Sequence, residues 1–185
     1  MDNPTFAIAA TKRASVGTNN LFVVALIVLV LHLSAPVHAV ELTEIRGLTS
    51  IKKFEGATLF AAAFEIDRPS LSWANHLEAS IGVINRADDN RPFIGLGPVW
   101  RWQDSSSAAY VDFGISPTVL GGDGLGNKDL GGAFFFSSAL SAGYHFDNGW
   151  TVALRLQHIS NGGLNDTNPG LDLLGLSVFG GFSQH

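Results

Sequence analysis

The chain contains no cysteine, and this absence excludes two common ways of holding a small protein together. Neither a disulfide framework nor a thiolate metal site is available, so stability has to come from hydrogen bonds and apolar contacts. Charge is also scarce, because charged residues make up 15% of the 185 residues and the formal net charge is −5. A weakly charged, acidic chain is a poor partner for nucleic acid, whose binding depends on clustered lysine and arginine.

Long apolar runs are missing as well, with one short exception near the N-terminus. Residues 21–31 (LFVVALIVLVL) are all apolar, but a membrane-spanning helix needs about 20 such residues. Lys12 and Arg13 precede this run, and Val37 and Ala39 follow it at the spacing that a signal peptidase recognises. We therefore expect residues 1–39 to be a signal peptide and residues 40–185 to be the mature domain. A membrane anchor is the alternative.

Helical periodicity is absent after residue 39, and a period of two takes its place. In residues 109–116, for example, Val111, Phe113 and Ile115 alternate with polar residues or glycine, as in a strand with one apolar face. Eight segments of this kind are bounded by turn residues and predict an all-β protein. They cover residues 43–53, 57–66, 71–84, 91–103, 108–119, 130–146, 149–160 and 171–182.

The connections between these segments favour a barrel that crosses a membrane. Tight connections at 66–70 and 146–150 alternate with longer ones such as 121–129, which is typical of an outer-membrane barrel with its apolar side chains outside. Four tryptophans also lie near the tight-turn ends, as in an interfacial girdle: Trp73, Trp100, Trp102 and Trp150. The sequence thus predicts an eight-stranded antiparallel transmembrane β-barrel. A soluble lipocalin-like carrier has the same periodicity and is the alternative.

Three polar residues fall on the predicted outer face, where lipid is expected. His158 and Ser160 end the apolar row of the seventh segment, and Asp172 lies on the outer face of the eighth. A serine, a base and an orienting acid are the groups that acyl transfer needs. Asn161 and the Gly162–Gly163 backbone are candidate donors to an oxyanion. The alternative is that these are ordinary polar residues at strand ends near water.

The run HISNGGLNDTNPGLD, residues 158–172, resembles the lipid A 3-O-deacylases, a family of eight-stranded outer-membrane barrels of the PagL type. The resemblance extends best over residues 130–182. It implies that His158 is the base, that Ser160 is the nucleophile, and that Asn161 and Gly163 form the oxyanion hole. The third member of the family's site is usually a glutamate, which is replaced here by the shorter Asp172. Asp166, within the connecting loop, is the rival acid.

The resemblance also implies the activity: a serine esterase that removes the 3-O-linked acyl chain of lipid A in lipopolysaccharide, at the outer membrane and among its lipids. Neither a cofactor nor a metal ion is required for this chemistry. A structural eight-stranded barrel without catalysis is the alternative function. The oligomeric state stays open, with a homodimer as one alternative.

The remaining polar residues on strands are predicted to point into the barrel. His76 and His145 are expected to be hydrogen-bonded within the lumen. Arg155 and Gln157 are expected there too, with Glu78 and Asp112 as their partners. Because side chains fill the interior of an eight-stranded barrel, transport through it is not expected.

Overall fold

The computed structural model describes residues 39–51, 56–67 and 73–180. The signal peptide expected at 1–39 and the tight turn expected at 66–70 lie largely outside these residues. Ten strands are present in the described part of the chain: β1 Ala39–Ser50, β2 Thr58–Asp67, β3 His76–Arg86, β4 Asp89–Gln103, β5 Ala109–Leu120, β6 Gly124–Leu125, β7 Lys128–Asp129, β8 Phe134–His145, β9 Trp150–Ser160 and β10 Leu171–Gly180.

Eight of these strands form one closed barrel in the order β1-β10-β9-β8-β5-β4-β3-β2. Every neighbouring pair is antiparallel, and the barrel closes between β1 and β10. The prediction of an all-β, eight-stranded antiparallel barrel is confirmed. β6 and β7 were not predicted; they form a separate two-stranded sheet within the connection from β5 to β8.

The connections lie at two ends of the barrel, which we call the loop end and the turn end. The loop end includes the connections 87–88, 121–133 and 161–170, and the turn end includes the connections 104–108 and 146–149. One loop-end connection is shorter than predicted. Only residues 87 and 88 join β3 to β4, and Ala87 has a φ of 54°. Residues 130–133 lie in a loop rather than a strand, since Gly131 and Gly132 have φ values of 79° and 133°.

The outer surface of the barrel is apolar around its circumference. Phe60, Trp102 and Ile94 are 63%, 59% and 58% exposed, and similar side chains face outward on the other strands: Ile45, Ile81, Val111, Phe113, Leu140, Leu154 and Leu176. A soluble barrel places such side chains inside, whereas a membrane barrel places them against lipid. The soluble carrier is therefore wrong as an alternative.

Charged side chains occupy the turn-end half of the lumen. Arg46 bonds to Glu44 at 2.8 Å and to both carboxylate oxygens of Glu78, one of them at 2.9 Å. Arg155 lies 3.9 Å from Glu78, as predicted. Asp112 was expected to pair with Arg155. It instead forms a bidentate ion pair with Arg101, in which each hydrogen bond is 2.8 Å long. Bidentate pairing gives both oxygens of this buried carboxylate a hydrogen-bond donor.

The predicted lumen histidines are both found inside. His76 is buried and lies 3.7 Å from Glu65, and His145 bonds through Nδ1 to Thr151 Oγ1 at 2.8 Å. The loop-end half of the lumen is different, because apolar side chains close it. These belong to one buried cluster: Leu48, Leu59, Ile84, Phe93, Leu120, Leu125, Leu130, Phe135, Ile159, Leu171 and Leu173.

The four tryptophans lie at the turn end, as predicted. Trp73, Trp102 and Trp150 are about half exposed, and the Trp100 indole donates to the Trp73 carbonyl at 2.6 Å. Aromatic side chains of this kind, with one polar atom, are typical of a membrane–water interface. In the described ranges of the chain, no helix has the length and apolar character needed to span a membrane.

Candidate active site

The candidate site lies on the outer face at the loop end, where β9 and β10 meet. Strand alternation in β9 turns Arg155, Gln157 and Ile159 inward, and they are buried, while His158 faces outward with its side chain 47% exposed. In β10, Leu171 and Leu173 are likewise buried, and Asp172 between them faces outward. The faces predicted for both strands are therefore confirmed.

His158 and Asp172 stand directly opposite each other in the β9–β10 ladder. His158 Nδ1 and Asp172 Oδ1 are 2.7 Å apart, which is a short charge-assisted contact. A carboxylate at Nδ1 holds that nitrogen protonated and leaves Nε2 as the ring nitrogen that can take up a proton. The arrangement is that of an oriented general base.

Ser160 follows His158 by two residues on the same face of β9 and ends the strand. Its partner on β8 is Phe136. Positions two apart in a strand are separated by about 6.6 Å, and in the described part of the chain Ser160 Oγ has no hydrogen bond with the imidazole. Such contacts are often long before substrate binds and shorten in the complex. Ser160 also lines an apolar cavity at the barrel mouth, with Ile84, Leu130, Ile159 and Leu171.

Asn161 is completely buried and organises residues 161–170, which we call the rim loop. Its Nδ2 donates to the Thr167 carbonyl at 2.6 Å and to the Leu130 carbonyl at 3.3 Å. Its Oδ1 accepts from the Gly163 amide at 3.0 Å. Both expected oxyanion donors, the Asn161 amide and the Gly163 N–H, thus bond within the loops in this state. Each of the two groups has to exchange a present bond before it can donate to a substrate.

The rival acid Asp166 lies exposed in the rim loop, whereas Asp172 is the carboxylate that contacts His158. Asp172, expected at the place where the family usually has a glutamate, faces His158 directly across one strand pair. No group of three potential ligands for a metal ion occurs among the residues that the structure describes.

Three residues near the site were not singled out from the sequence. Ser138 of β8 lies directly opposite His158 on the side away from Asp172. Gly170, at φ 63°, lies so close to the imidazole that a Cβ there would be 3.0 Å from His158 Cε1. Asn168 Oδ1 accepts from the Asn161 backbone N–H at 3.1 Å. Only the pairing register reveals Ser138, but the three glycines and five polar residues in 161–170 were a signal for the loop.

The barrel belongs to a definable class of protein. An apolar outer surface, paired charges in the turn-end half of the lumen and a girdle of tryptophan at one end define a transmembrane β-barrel. A His–Asp pair faces outward beside a serine at its rim, and these are the types of group that acyl transfer uses.

Comparison with known proteins identifies the family. Residues 49–179 match the family model described as Lipid A 3-O-deacylase (PagL). The chain therefore belongs to the lipid A 3-O-deacylase family, and the resemblance seen in residues 158–172 is confirmed. The match also includes most of the first half of the barrel, where the resemblance was loose.

Two curated relatives and one solved structure are similar to this chain. The lipid A deacylase PagL of Bordetella bronchiseptica is 32% identical over 80 residues, 43% of this chain and 44% of that protein. The lipid A deacylase PagL of Pseudomonas aeruginosa is 31% identical over 74 residues, 40% of this chain and 43% of that protein. The chain thus matches less than half the length of each. A crystal structure titled as the outer membrane enzyme PagL has the same fold, with a TM-score of 0.60, 20% identity, and coverage of 76% of this chain and 97% of that one.

Proposed function

We propose that the protein is an outer-membrane serine esterase that hydrolyses the 3-O-linked acyl chain of lipid A. The observation that carries this proposal is the His158–Asp172 pair, joined at 2.7 Å on the lipid-facing side of the barrel rim. A histidine that a carboxylate orients in this way is a base that can activate a serine nucleophile, and Ser160 lies on the same strand face. Lipids that present ester groups at the membrane surface are the substrates it can reach.

The substrate reaches the site sideways, from the leaflet into which the loop end of the barrel extends. Leu140, Leu156 and Leu174 lie on the outer face beside the His158 level and toward the turn end, so they are available to the acyl chains of a bound lipid. The polar head of the lipid then lies level with His158 and Ser160. The paired lumen side chains leave no path through the barrel itself.

In the first half of the reaction, His158 Nε2 takes the proton of Ser160 as Oγ attacks the ester carbonyl. Asp172 keeps the imidazole in the required tautomer and stabilises the imidazolium that forms. The tetrahedral oxyanion accepts hydrogen bonds from the Asn161 amide and the Gly163 N–H, once these exchange their present partners. The sugar hydroxyl then leaves with the proton from His158, and the acyl group stays on Ser160.

In the second half, a water molecule gives its proton to His158 and attacks the acyl-enzyme. Ser160 recovers its proton, and a free fatty acid is released. The balance is one ester and one water consumed, and one alcohol and one carboxylic acid formed. His158, Ser160 and Asp172 lie on a single chain, so the mechanism is the same for a monomer and a homodimer.

Mass spectrometry of lipid A tests this proposal. Lipid A from cells that express the chain should lose the mass of one acyl group at the 3-position relative to cells that express Ser160→Ala. Free fatty acid should appear in equal amount when purified protein and lipid A are mixed in detergent. Unchanged lipid A, with the barrel correctly assembled in the outer membrane, would favour the non-catalytic structural barrel.

A further inference from the structure

The connection between β5 and β8, residues 121–133, crosses the mouth of the barrel, and we call it the bridging loop. On one side it bonds to the β3–β4 turn, where the Gly126 N–H donates to Asp89 Oδ2 and Arg86 Nη1 donates to Asn127 Oδ1, both at 2.8 Å. In the barrel order, β3 and β4 lie opposite β9 and β10. The bridging loop therefore connects the far wall of the barrel to the candidate site.

The middle of the bridging loop packs under the site. Leu125 is completely buried, and Leu130 is nearly so. Both contribute to the apolar cluster that contains Ile159 and Leu171, the neighbours of Ser160 and Asp172 in sequence. Leu125 and Leu130 also line the cavity that Ser160 borders. The loop thus supports the inner side of the two strand ends that carry the candidate catalytic residues.

The other end of the bridging loop contacts the rim loop through backbone, at a distance that only glycine permits. A Cβ on Gly131 would lie 1.9 Å from the Thr167 carbonyl oxygen and 2.7 Å from Asn161 Nδ2. The adjacent Leu130 carbonyl accepts a hydrogen bond from the same Asn161 amide. A Cβ on Gly132 would lie 2.9 Å from Asn165 Nδ2. The two loops therefore touch where Asn161 is held.

We propose that the bridging loop positions the active site and that Gly131 is its positioning residue. Gly131 lets the Leu130 carbonyl approach Asn161, and Asn161 in turn fixes the backbone that follows Ser160. The long 3.3 Å bond to Leu130 is the weaker of the two made by Asn161 Nδ2, and it is the one exchanged for the substrate oxyanion. This inference rests on the proposed esterase function and extends it to a loop outside the family's motif.

The consequence for catalysis is a change in turnover rather than in substrate affinity. The outward face of β8, β9 and β10, along which a lipid would lie, does not include the bridging loop. Displacement of the rim loop by about 1 Å misaligns Ser160 and the oxyanion donors, and a misplacement of this size lowers a rate by on the order of 10²-fold. The KM should change much less than kcat.

Gly131→Ala tests the inference, with Gly56→Ala as a matched control. The two glycines have nearly the same backbone strain, at φ 79° and 78°, but a Cβ on Gly56 meets nothing within 4 Å. Both variants should retain the fast gel mobility of a closed barrel before heating. We expect kcat for lipid A to fall about 10²-fold in Gly131→Ala alone, and amide hydrogen exchange in residues 161–170 to accelerate in that variant only.

Equal kcat values for assembled Gly131→Ala and Gly56→Ala, with an active wild type, would overturn the inference and leave the esterase proposal intact. An inactive wild type would instead overturn the proposed function and the catalytic part of the inference, while exchange in 161–170 still decides whether the loops are coupled. If Gly131→Ala does not assemble, the variant Asp89→Ala tests the inference instead. It removes the acceptor of the Gly126 N–H on the far wall, and a kcat equal to that of wild type would then overturn the inference.

Discussion

Asp172 Oδ1 lies 2.7 Å from His158 Nδ1, and the two residues are direct partners in the β9–β10 ladder. The pair is part of the sheet itself, so its geometry is fixed by strand register rather than by a loop. A slip of one residue in β10 would turn Asp172 into the lumen. The strand register therefore brings even this shorter acid within hydrogen-bond distance of the imidazole.

The first prediction concerns this acid. Asp172→Asn should lower kcat on the order of 10²–10⁴-fold, because an amide keeps the size of the side chain but does not stabilise the imidazolium. Asp172→Glu should retain part of the activity, since it restores the carboxylate. The measurement is release of fatty acid from lipid A in detergent. Asp166→Asn is the control, and full activity of Asp172→Asn with loss in Asp166→Asn would mean that the acid is misassigned.

The second prediction concerns the nucleophile and the base. Ser160→Ala and His158→Ala should each abolish deacylation, and the double variant should be no worse than either single one, because the two residues act as a unit. Both variants should still migrate fast on unheated gels, since a closed barrel with no free strand edge resists detergent. Near wild-type release of fatty acid by either assembled variant would remove its assigned role.

The third prediction concerns Asn161, whose side chain is completely buried and has three hydrogen-bond partners. Asn161→Ala should lower kcat by on the order of 10²-fold or more, the usual effect of removing an oxyanion donor. Asn161→Asp should be at least as damaging, although it is nearly the same size. The new oxygen would face the Thr167 and Leu130 carbonyls without a hydrogen to donate. An active Asn161→Asp protein would argue against any donor role.

Much of the fold can be predicted from the sequence because strand alternation depends only on residues that are neighbours in the chain. The alternation in residues 150–160 assigns the faces of β9 correctly, since successive side chains of any strand point to opposite sides. The same rule puts Asp172 outside once the β10 segment is recognised. The end of β3 and the start of β4 were each missed by two residues, because a turn through Ala87 carries no glycine or proline to mark it.

What the sequence leaves out depends on contacts between distant segments. Alternation puts Arg101 and Asp112 in the lumen, but only the β4–β5 register shows that they are direct partners. Because Asp112 pairs with Arg101, the carboxylate near Arg155 is that of Glu78. The contact of Gly131 with the rim loop joins residues about 30 positions apart. In the sequence, Gly131 falls at the start of the segment 130–146 that was predicted to be a strand, and nothing local marks it as a contact with the rim loop.

The fourth prediction concerns Gly170, which lies against the imidazole. Gly170→Ala adds a Cβ 3.0 Å from His158 Cε1 and places it on a backbone with φ 63°. The ring should be pushed from its present alignment with Asp172, so we expect kcat to fall more than tenfold, as misplacement of a catalytic group predicts. Gly56→Ala carries a similar backbone cost without the contact. If Gly170→Ala is as active as Gly56→Ala, the added Cβ does not displace the imidazole and the prediction is wrong.

The last prediction concerns the stability of the barrel rather than its chemistry. Arg46 is buried between Glu44 and Glu78, with its side chain 3% exposed. Arg46→Ala leaves two carboxylates inside the lumen without their main partner, and breaking a buried ion pair in this way costs about 3–5 kcal/mol of unfolding free energy. Arg91→Ala breaks a more exposed pair with Asp89 at the loop end and should cost only about 0–1 kcal/mol.

Urea unfolding of both variants in detergent, followed by gel mobility and tryptophan fluorescence, measures the difference. Equal stability of the two would mean that Glu44 and Glu78 become protonated or hydrated without penalty, and that the lumen charges do not hold the barrel together.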